Sequence, residues 1–310
     1  MEDSSVLTLR HPVSITSMGI RLNKRPRAAP RVQHSLSINF YQSILQSFLN
    51  NTHIMSKAFC KHCVDVQELP GKPAGKETKY GGVNAYVASG SKKGTVVVAT
   101  DIFGLAIDNP MIVADRFAKE TGYTVVVPDL FNGEPISPND FKLPKHKDEP
   151  QPEGADKNFD IFGAWLGKGN KPDETYPKFK KVIDQAAQEG PVAAIGYCYG
   201  GKLMSLAGQD GAVKGVVINH PAMLEKGEAA SVKVPTLINA SEVDPIFTDD
   251  VKEDWFDTLK SAGHLDPAST TYKNAVHGHA IRPDLNKPDI KKAYEDSFAK
   301  SVAFFQRVLA

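Results

Sequence analysis

From about residue 78 onward, short continuous apolar runs alternate with stretches in which apolar residues recur every three or four positions. The first pattern predicts strands and the second predicts helices. The clearest strands are GTVVVAT (94–100), YTVVVP (123–128), PVAAIGY (191–197), GVVIN (215–219), PTLINA (235–240) and STTYKNA (269–275). Helices are expected at Asn109 to Glu120, Asp173 to Glu189, Gly200 to Gly208, Asp249 to Ala262 and about Lys287 to Val308. Strands that are apolar throughout, rather than at every second position, are buried on both faces. They predict an α/β fold with a mostly parallel central sheet flanked by helices on both faces, in a single domain. KYGGVNAYVA (79–88) reads as an antiparallel hairpin at the sheet edge, and the polar, proline-rich stretch from Gly133 to Lys157 as a long surface excursion near the strand ends.

The N-terminal residues follow a different rule. No acidic residue lies between Asp3 and Asp65, while Arg10, Arg21, Lys24, Arg25, Arg27, Arg31, Lys57 and Lys61 all fall there. Basic, serine-rich and acid-poor is the composition of a transit peptide, and LSINFYQSILQSFL (36–49) is able to form an amphipathic helix. Against that, Glu2 and Asp3 are wrong for a presequence, and Met55 offers an alternative start. Residues 1–54 are therefore expected to be a disordered leader or a transit peptide, and residues 55–310 the folded domain. CKHC (60–63) is one C-x-x-C without a second pair, which supports neither a zinc site nor haem attachment.

Composition narrows the functional classes. The 310 residues are 41% hydrophobic with a net charge of +1, so nothing global points to nucleic acid. No apolar run approaches the roughly 18 residues of a membrane span. Three cysteines are too few and too unevenly placed for a disulfide framework, which favours a reducing compartment. The expected location is cytoplasmic, or mitochondrial if residues 1–54 act as a transit peptide.

One of those cysteines carries the chemistry. Cys198 stands in VAAIGYCYGGK (192–202), where a buried strand turns into a helix between Gly196 and Gly200. G-x-C-x-G at such a junction has the form of a nucleophile elbow, which holds its central side chain out at the carboxyl edge of the sheet and at a helix N-terminus that favours thiolate. A thiol nucleophile needs a base and the base an orienter. SEVDPIF puts Asp244 after the strand PTLINA, and VHGHAIR puts His277 after STTYKNA, at matching strand ends and in the order nucleophile, acid, base. His279 competes with His277 as base, or the two form an H-x-H metal pair that lacks a third ligand; Glu242 competes with Asp244.

GYCYGGK, TDIFGL (100–105), VVPDLFNG (126–133), SEVDPIF and YKNAVHGHAIR together resemble the dienelactone hydrolase family of the α/β-hydrolase superfamily. FCKHCVDVQELPGKPAGKE is similar to the start of its fungal branch, and the likeness covers roughly residues 60 to 308. The resemblance implies an α/β-hydrolase fold and hydrolysis of a lactone or activated ester through a cysteinyl acyl-enzyme, without a cofactor. It implies Cys198 as nucleophile, Asp244 as orienter and His277 as base, with the backbone N–H groups of Ile102 and Tyr199 as oxyanion hole. Asp101 stands where bacterial members carry a glutamate that tunes the thiol. Arg282 stands one residue beyond the spacing of a family arginine that binds a substrate carboxylate. The expected partner is a small-molecule ester or lactone, with no nucleic acid or membrane, and the expected state a monomer or homodimer. The competing class is a silent relative that binds a small molecule or senses oxidants through Cys198.

Overall fold

The computed structural model describes residues 67–144 and 146–310. The expected leader and the CKHC run lie outside the described residues.

Each apolar run becomes a strand. β1 (Lys76–Tyr80) and β2 (Val83–Ala88) form a hairpin through Gly81 and Gly82, both at positive φ (59° and 78°), as a tight right-twisted hairpin turn requires. After them come β3 (Lys92–Ala99), α1 (Asn109–Thr121), β4 (Tyr123–Pro128), α2 (Asn158–Trp165), α3 (Pro172–Glu189), β5 (Val192–Tyr197) and α4 (Tyr199–Asp210). The chain continues with β6 (Val216–Asn219), β7 (Thr236–Val243), α5 (Asp249–Ser261), β8 (Thr270–Val276) and α6 (Pro288–Val308). Their order across one eight-stranded sheet is β1-β2-β4-β3-β5-β6-β7-β8. The two pairings at the hairpin edge are antiparallel, and all pairings from β4 to β8 are parallel.

Burial explains why these strands are apolar throughout. Val96, Val98, Val125, Val127, Ile195 and Val217 join Phe117, Phe298 and Phe305 of α1 and α6 in one core. The alternate positions Val97, Val126, Ala194 and Ile218 point to the opposite face and are fully buried as well. There α3 packs on β3, and α4 on β5 and β6. Phe117 stacks on Phe298 (centroids 4.4 Å) and meets Phe305 edge-on (5.3 Å). Burying each such ring contributes about 1.5–3 kcal/mol.

Two stretches differ from expectation. β7 runs on through Ser241, Glu242 and Val243, because it keeps pairing with β8 across a register shift at this point. Glu242 secures the irregularity: its carboxylate accepts the Asn274 N–H (2.8 Å), and Asn274 itself sits at φ 62°. The stretch after Gly133 is not simply a surface excursion. It buries Ile136 and Phe141 and ends in α2, which the surrounding polar and proline residues conceal in the sequence. Asn158 closes it by exchanging hydrogen bonds with both backbone groups of Lys142 (2.9 and 2.6 Å).

The parallel strands all end at one edge. Thr100 and Asp101 follow β3, Cys198 follows β5, His220 follows β6, Asp244 follows β7 and His277 follows β8. That edge is where ligands bind in sheets of this kind. Among the described residues, no helix is long and apolar enough to cross a membrane.

Candidate active site

Cys198 links β5 to α4 at φ 53° and ψ −114°, a conformation that residues with side chains rarely adopt. Holding it there costs about 1–3 kcal/mol, which the surrounding turn must supply. The glycines explain how. A Cβ on Gly196 would run into the Gly200 carbonyl, and one on Gly200 into the Ala99 carbonyl. The Cys198 carbonyl accepts the N–H groups of Gly201 (2.8 Å) and Ala222 (2.9 Å), while its own N–H donates to Asn219 (3.2 Å). Cys198 is only 6% exposed, less than its projecting position at the sheet edge predicts. The difference arises because the segment from Phe141 to Phe162 walls the sheet edge and turns it into the floor of a pocket. As first residue before α4, the thiol also feels the positive end of that helix, which favours thiolate.

His277 and Asp244 meet beside it. His277 Nδ1 lies 2.9 and 3.1 Å from the two carboxylate oxygens of Asp244. The carboxylate is held in turn by the N–H groups of Ile246 (3.0 Å) and Phe247 (3.1 Å), so the turn before Pro245 and the orientation of His277 are one arrangement. His277 Nε2 makes no hydrogen bond, and the Cys198 thiol lies close enough to act on the charge of the ring. Burial alone would push the His277 pKa down. The carboxylate of Asp244 and a thiolate at Cys198 reverse that and raise it to about 10. The geometry thus favours the charged imidazolium at His277.

The rivals lie elsewhere. Glu242 is exposed and engaged with the Asn274 backbone, away from His277. His279 points its Nδ1 at the Ser241 hydroxyl (3.0 Å). Among the described residues, no group of three or more His, Cys, Asp or Glu side chains has the arrangement to hold a metal ion.

The pocket encloses about 620 Å³, including open solvent at its mouth. Cys198, His277, Ile102, Tyr199 and Arg282 line it together with Phe141, Leu143, Phe159, Phe162, Met223 and Ile246. Tyr199 is anchored from below, its hydroxyl bonded to the Asn170 carbonyl (2.7 Å) and to Thr175 Oγ1 (2.5 Å). Its ring packs edge-on against Phe131 (5.5 Å) and Trp165 (5.4 Å), which fixes the first turn of α4. Asp101 is fully buried. One carboxylate oxygen accepts the Phe103 N–H (3.1 Å), capping the following turn, and the other accepts Arg282 Nε–H (2.9 Å). Arg282 also lies over the Phe103 ring, 4.9 Å from its centroid. The arginine therefore enters the pocket with its charge already compensated.

Two contributors escaped the sequence reading. The aromatic wall from Phe141 to Phe162 was hidden inside a polar stretch. His220, whose ring meets that of His277 at 5.1 Å, follows β6 at the same edge as Cys198, Asp244 and His277. Extending the strand-end rule to every parallel strand would have found it.

A parallel sheet with this connectivity, a strained strand-to-helix turn and a pocket at its carboxyl edge define an α/β hydrolase. Residues 83–309 match the dienelactone hydrolase family, and the chain belongs to it. It is a hydrolase of the carboxylic ester class, acting on esters or lactones. Hydrolase pyvD of Aspergillus violaceofuscus is 29% identical over 253 residues, covering 80% of this chain and 96% of that one. Hydrolase tropI of Talaromyces stipitatus is 26% identical over 253 residues, covering 79% and 88%. Among solved structures, the dienelactone hydrolase-like promiscuous phosphotriesterase P91 from metagenomic libraries is similar in fold. Its TM-score is 0.56 at 19% identity, covering 77% of this chain and all of that one.

Proposed function

We propose that this hydrolase opens uncharged lactones and activated enol or aryl esters through Cys198, His277 and Asp244, with a cysteinyl acyl-enzyme as intermediate. The observation that carries the reading is a cysteine strained at φ 53° beside a histidine whose far nitrogen lies 2.9 Å from a buried carboxylate. His277 holds the proton taken from the Cys198 thiol, and the sulfur attacks the acyl carbon. The backbone N–H groups of Ile102 and Tyr199 receive the developing oxyanion. When the C–O bond breaks, His277 protonates the departing oxygen. Water then loses a proton to His277 and attacks the thioester, releasing the acid and returning the proton to sulfur. Asp244 holds the imidazole in one orientation throughout and stabilises its charged form.

The substrate class follows from the lining. Phe141, Phe159 and Phe162 offer aromatic surface, and Arg282 is paired to Asp101, which supports an apolar, uncharged acyl group over a carboxylate-bearing one. An enol or phenol leaves readily and suits a thiol nucleophile, whereas an amide demands far more acid assistance.

A panel of aryl esters, enol esters and lactones run on wild type and Cys198→Ala tests the reading, with intact-mass detection of an acyl adduct. Expected are turnover and a transient adduct in wild type and neither in the variant. Undiminished turnover by Cys198→Ala overturns the assignment. A thiol that alkylates stoichiometrically while no activated ester is hydrolysed would make the protein a binding or oxidant-sensing module instead.

A further inference from the structure

Beneath His277 lies a polar cluster that this chemistry leaves unused. Asn219, His220, Asn239, Ser241 and His279 are each 1% exposed or less and come together where β6, β7 and the loop after β8 meet. Asn239 Nδ2 donates to Asn219 Oδ1 (2.9 Å), and the Tyr272 hydroxyl lies 3.3 Å from Asn239 Oδ1 and 2.9 Å from the Asp296 carboxylate, to which it donates more closely. Ser241 donates its single hydroxyl proton to the Val276 carbonyl (3.0 Å), so towards His279 it can only accept. His279 is therefore protonated on Nδ1, and its Nε2 is a bare acceptor.

Four nitrogens of the cluster have no partner: Asn219 Nδ2, both ring nitrogens of His220, and His279 Nε2. Leaving buried polar atoms unpaired is costly, and such groups call for a bound water or a functional explanation. His220 adds backbone strain, at φ 32°. An apolar ring at this position would fill the same space without unpaired nitrogens. Yet His220 touches the rings of both His277 (5.1 Å) and His279 (5.4 Å) edge-on.

We propose that Asn219, His220 and His279 hold a buried water against the His277 ring, and that His220 thereby acts as a positioning residue for the base. Between them the unused atoms offer a water two acceptors and a donor. It donates to His279 Nε2 and to the bare nitrogen of His220, and accepts from Asn219 Nδ2, about the three bonds a buried water makes. Burial, with the positive charges of His277 and Arg282 nearby, keeps His220 neutral, so one of its ring nitrogens stays bare. His277 is then held between the Asp244 carboxylate on one side and a hydrated, uncharged ring on another. The ring keeps its plane as it gains and loses a proton.

The inference rests on His277 being the base, and the test separates the two. A crystal structure of the full chain at better than about 1.5 Å, where ordered waters are unambiguous, is combined with kcat and KM on an activated aryl ester. The proteins assayed are wild type, His220→Phe, His220→Gln and His277→Ala. The expected result is a water within hydrogen-bonding distance of Asn219 and His279. His220→Phe should lose about tenfold to a hundredfold in kcat with KM unchanged, the penalty of a misplaced catalytic group. His220→Gln, which keeps a donor and an acceptor, should recover part of it. A dry cluster in which His220 and His279 bond directly overturns the proposal, as does a His220→Phe enzyme with wild-type kcat. If His220→Phe does not fold, the wild-type density and the His220→Gln kinetics decide. Turnover retained by His277→Ala would instead refute His277 as base.

Discussion

The strain at Cys198 can be weighed directly by replacing the residue with glycine and with alanine. Both variants lack the sulfur, so the lost thiol contacts cancel in the comparison. At an ordinary position, alanine to glycine costs about 0.5–1 kcal/mol through the greater freedom of the unfolded chain. Here alanine must keep φ 53° and ψ −114°, a strain of about 1–3 kcal/mol that glycine largely escapes. The second effect outweighs the first, leaving Cys198→Gly ahead of Cys198→Ala by about 1 kcal/mol. For a domain of this size that corresponds to a melting temperature about 2–4 °C higher. Differential scanning calorimetry of the two proteins measures it, with Ala194→Gly in the same strand as a control that should melt lower than wild type. If Cys198→Gly melts below Cys198→Ala, the turn is unstrained and its glycines serve only close packing.

The choice of base is tested by turnover of an aryl ester: His277→Ala should lose nearly all activity and His279→Ala much less, and the opposite ranking transfers the role. Asp101→Asn leaves the guanidinium of Arg282, itself 10% exposed, without its buried partner. That should cost about 3–5 kcal/mol, seen as a lower urea midpoint, and Asp101→Asn combined with Arg282→Met should recover part of it. Burial, opposed by the Asp244 carboxylate and aided by the His277 charge, pulls His279 from 6.5 down to about 4. Its depressed pKa means that unfolding takes up a proton in this range, so the stability it contributes is complete above pH 6.5 and is lost as the pH falls towards 4. Thermal melts between pH 4 and 8 should show that loss, and His279→Gln should flatten it.

The strands were legible because burial on both faces leaves continuous apolar runs: YTVVVP predicts β4 residue for residue. The turn around Cys198 was legible because only glycine fits its neighbours, and Asp244 and His277 because each follows a recognisable strand. What escaped depends on tertiary contact alone. β7 extends to Val243 because β8 pairs with it, not because Ser241 and Glu242 favour a strand. The aromatic wall sits among prolines and charges, and Phe141 and Phe159 acquire meaning only once the segment folds over the sheet edge. The pairing of Asp101 with Arg282 spans 181 residues, a separation at which no local pattern operates. His220 is the exception: a single histidine before a proline carries no spacing signal, but its place directly after the strand GVVIN marks it.

The order of the strands bears on how the protein is made. Residues reach the ribosomal exit in sequence, so the turn holding Cys198 is synthesised well before His277 and before α6. The loop carrying His277 is fastened late: Asn109, at the start of α1, donates to the Ile281 carbonyl (2.9 Å), and Arg116 of α1 reaches Glu295 of α6 (2.5 Å). Until the last fifth of the chain has docked onto helices formed near the beginning, the thiol has neither its histidine nor Arg282 beside it. On the proposed role of Cys198 and His277, a nascent or C-terminally truncated chain is expected to be inert towards esters.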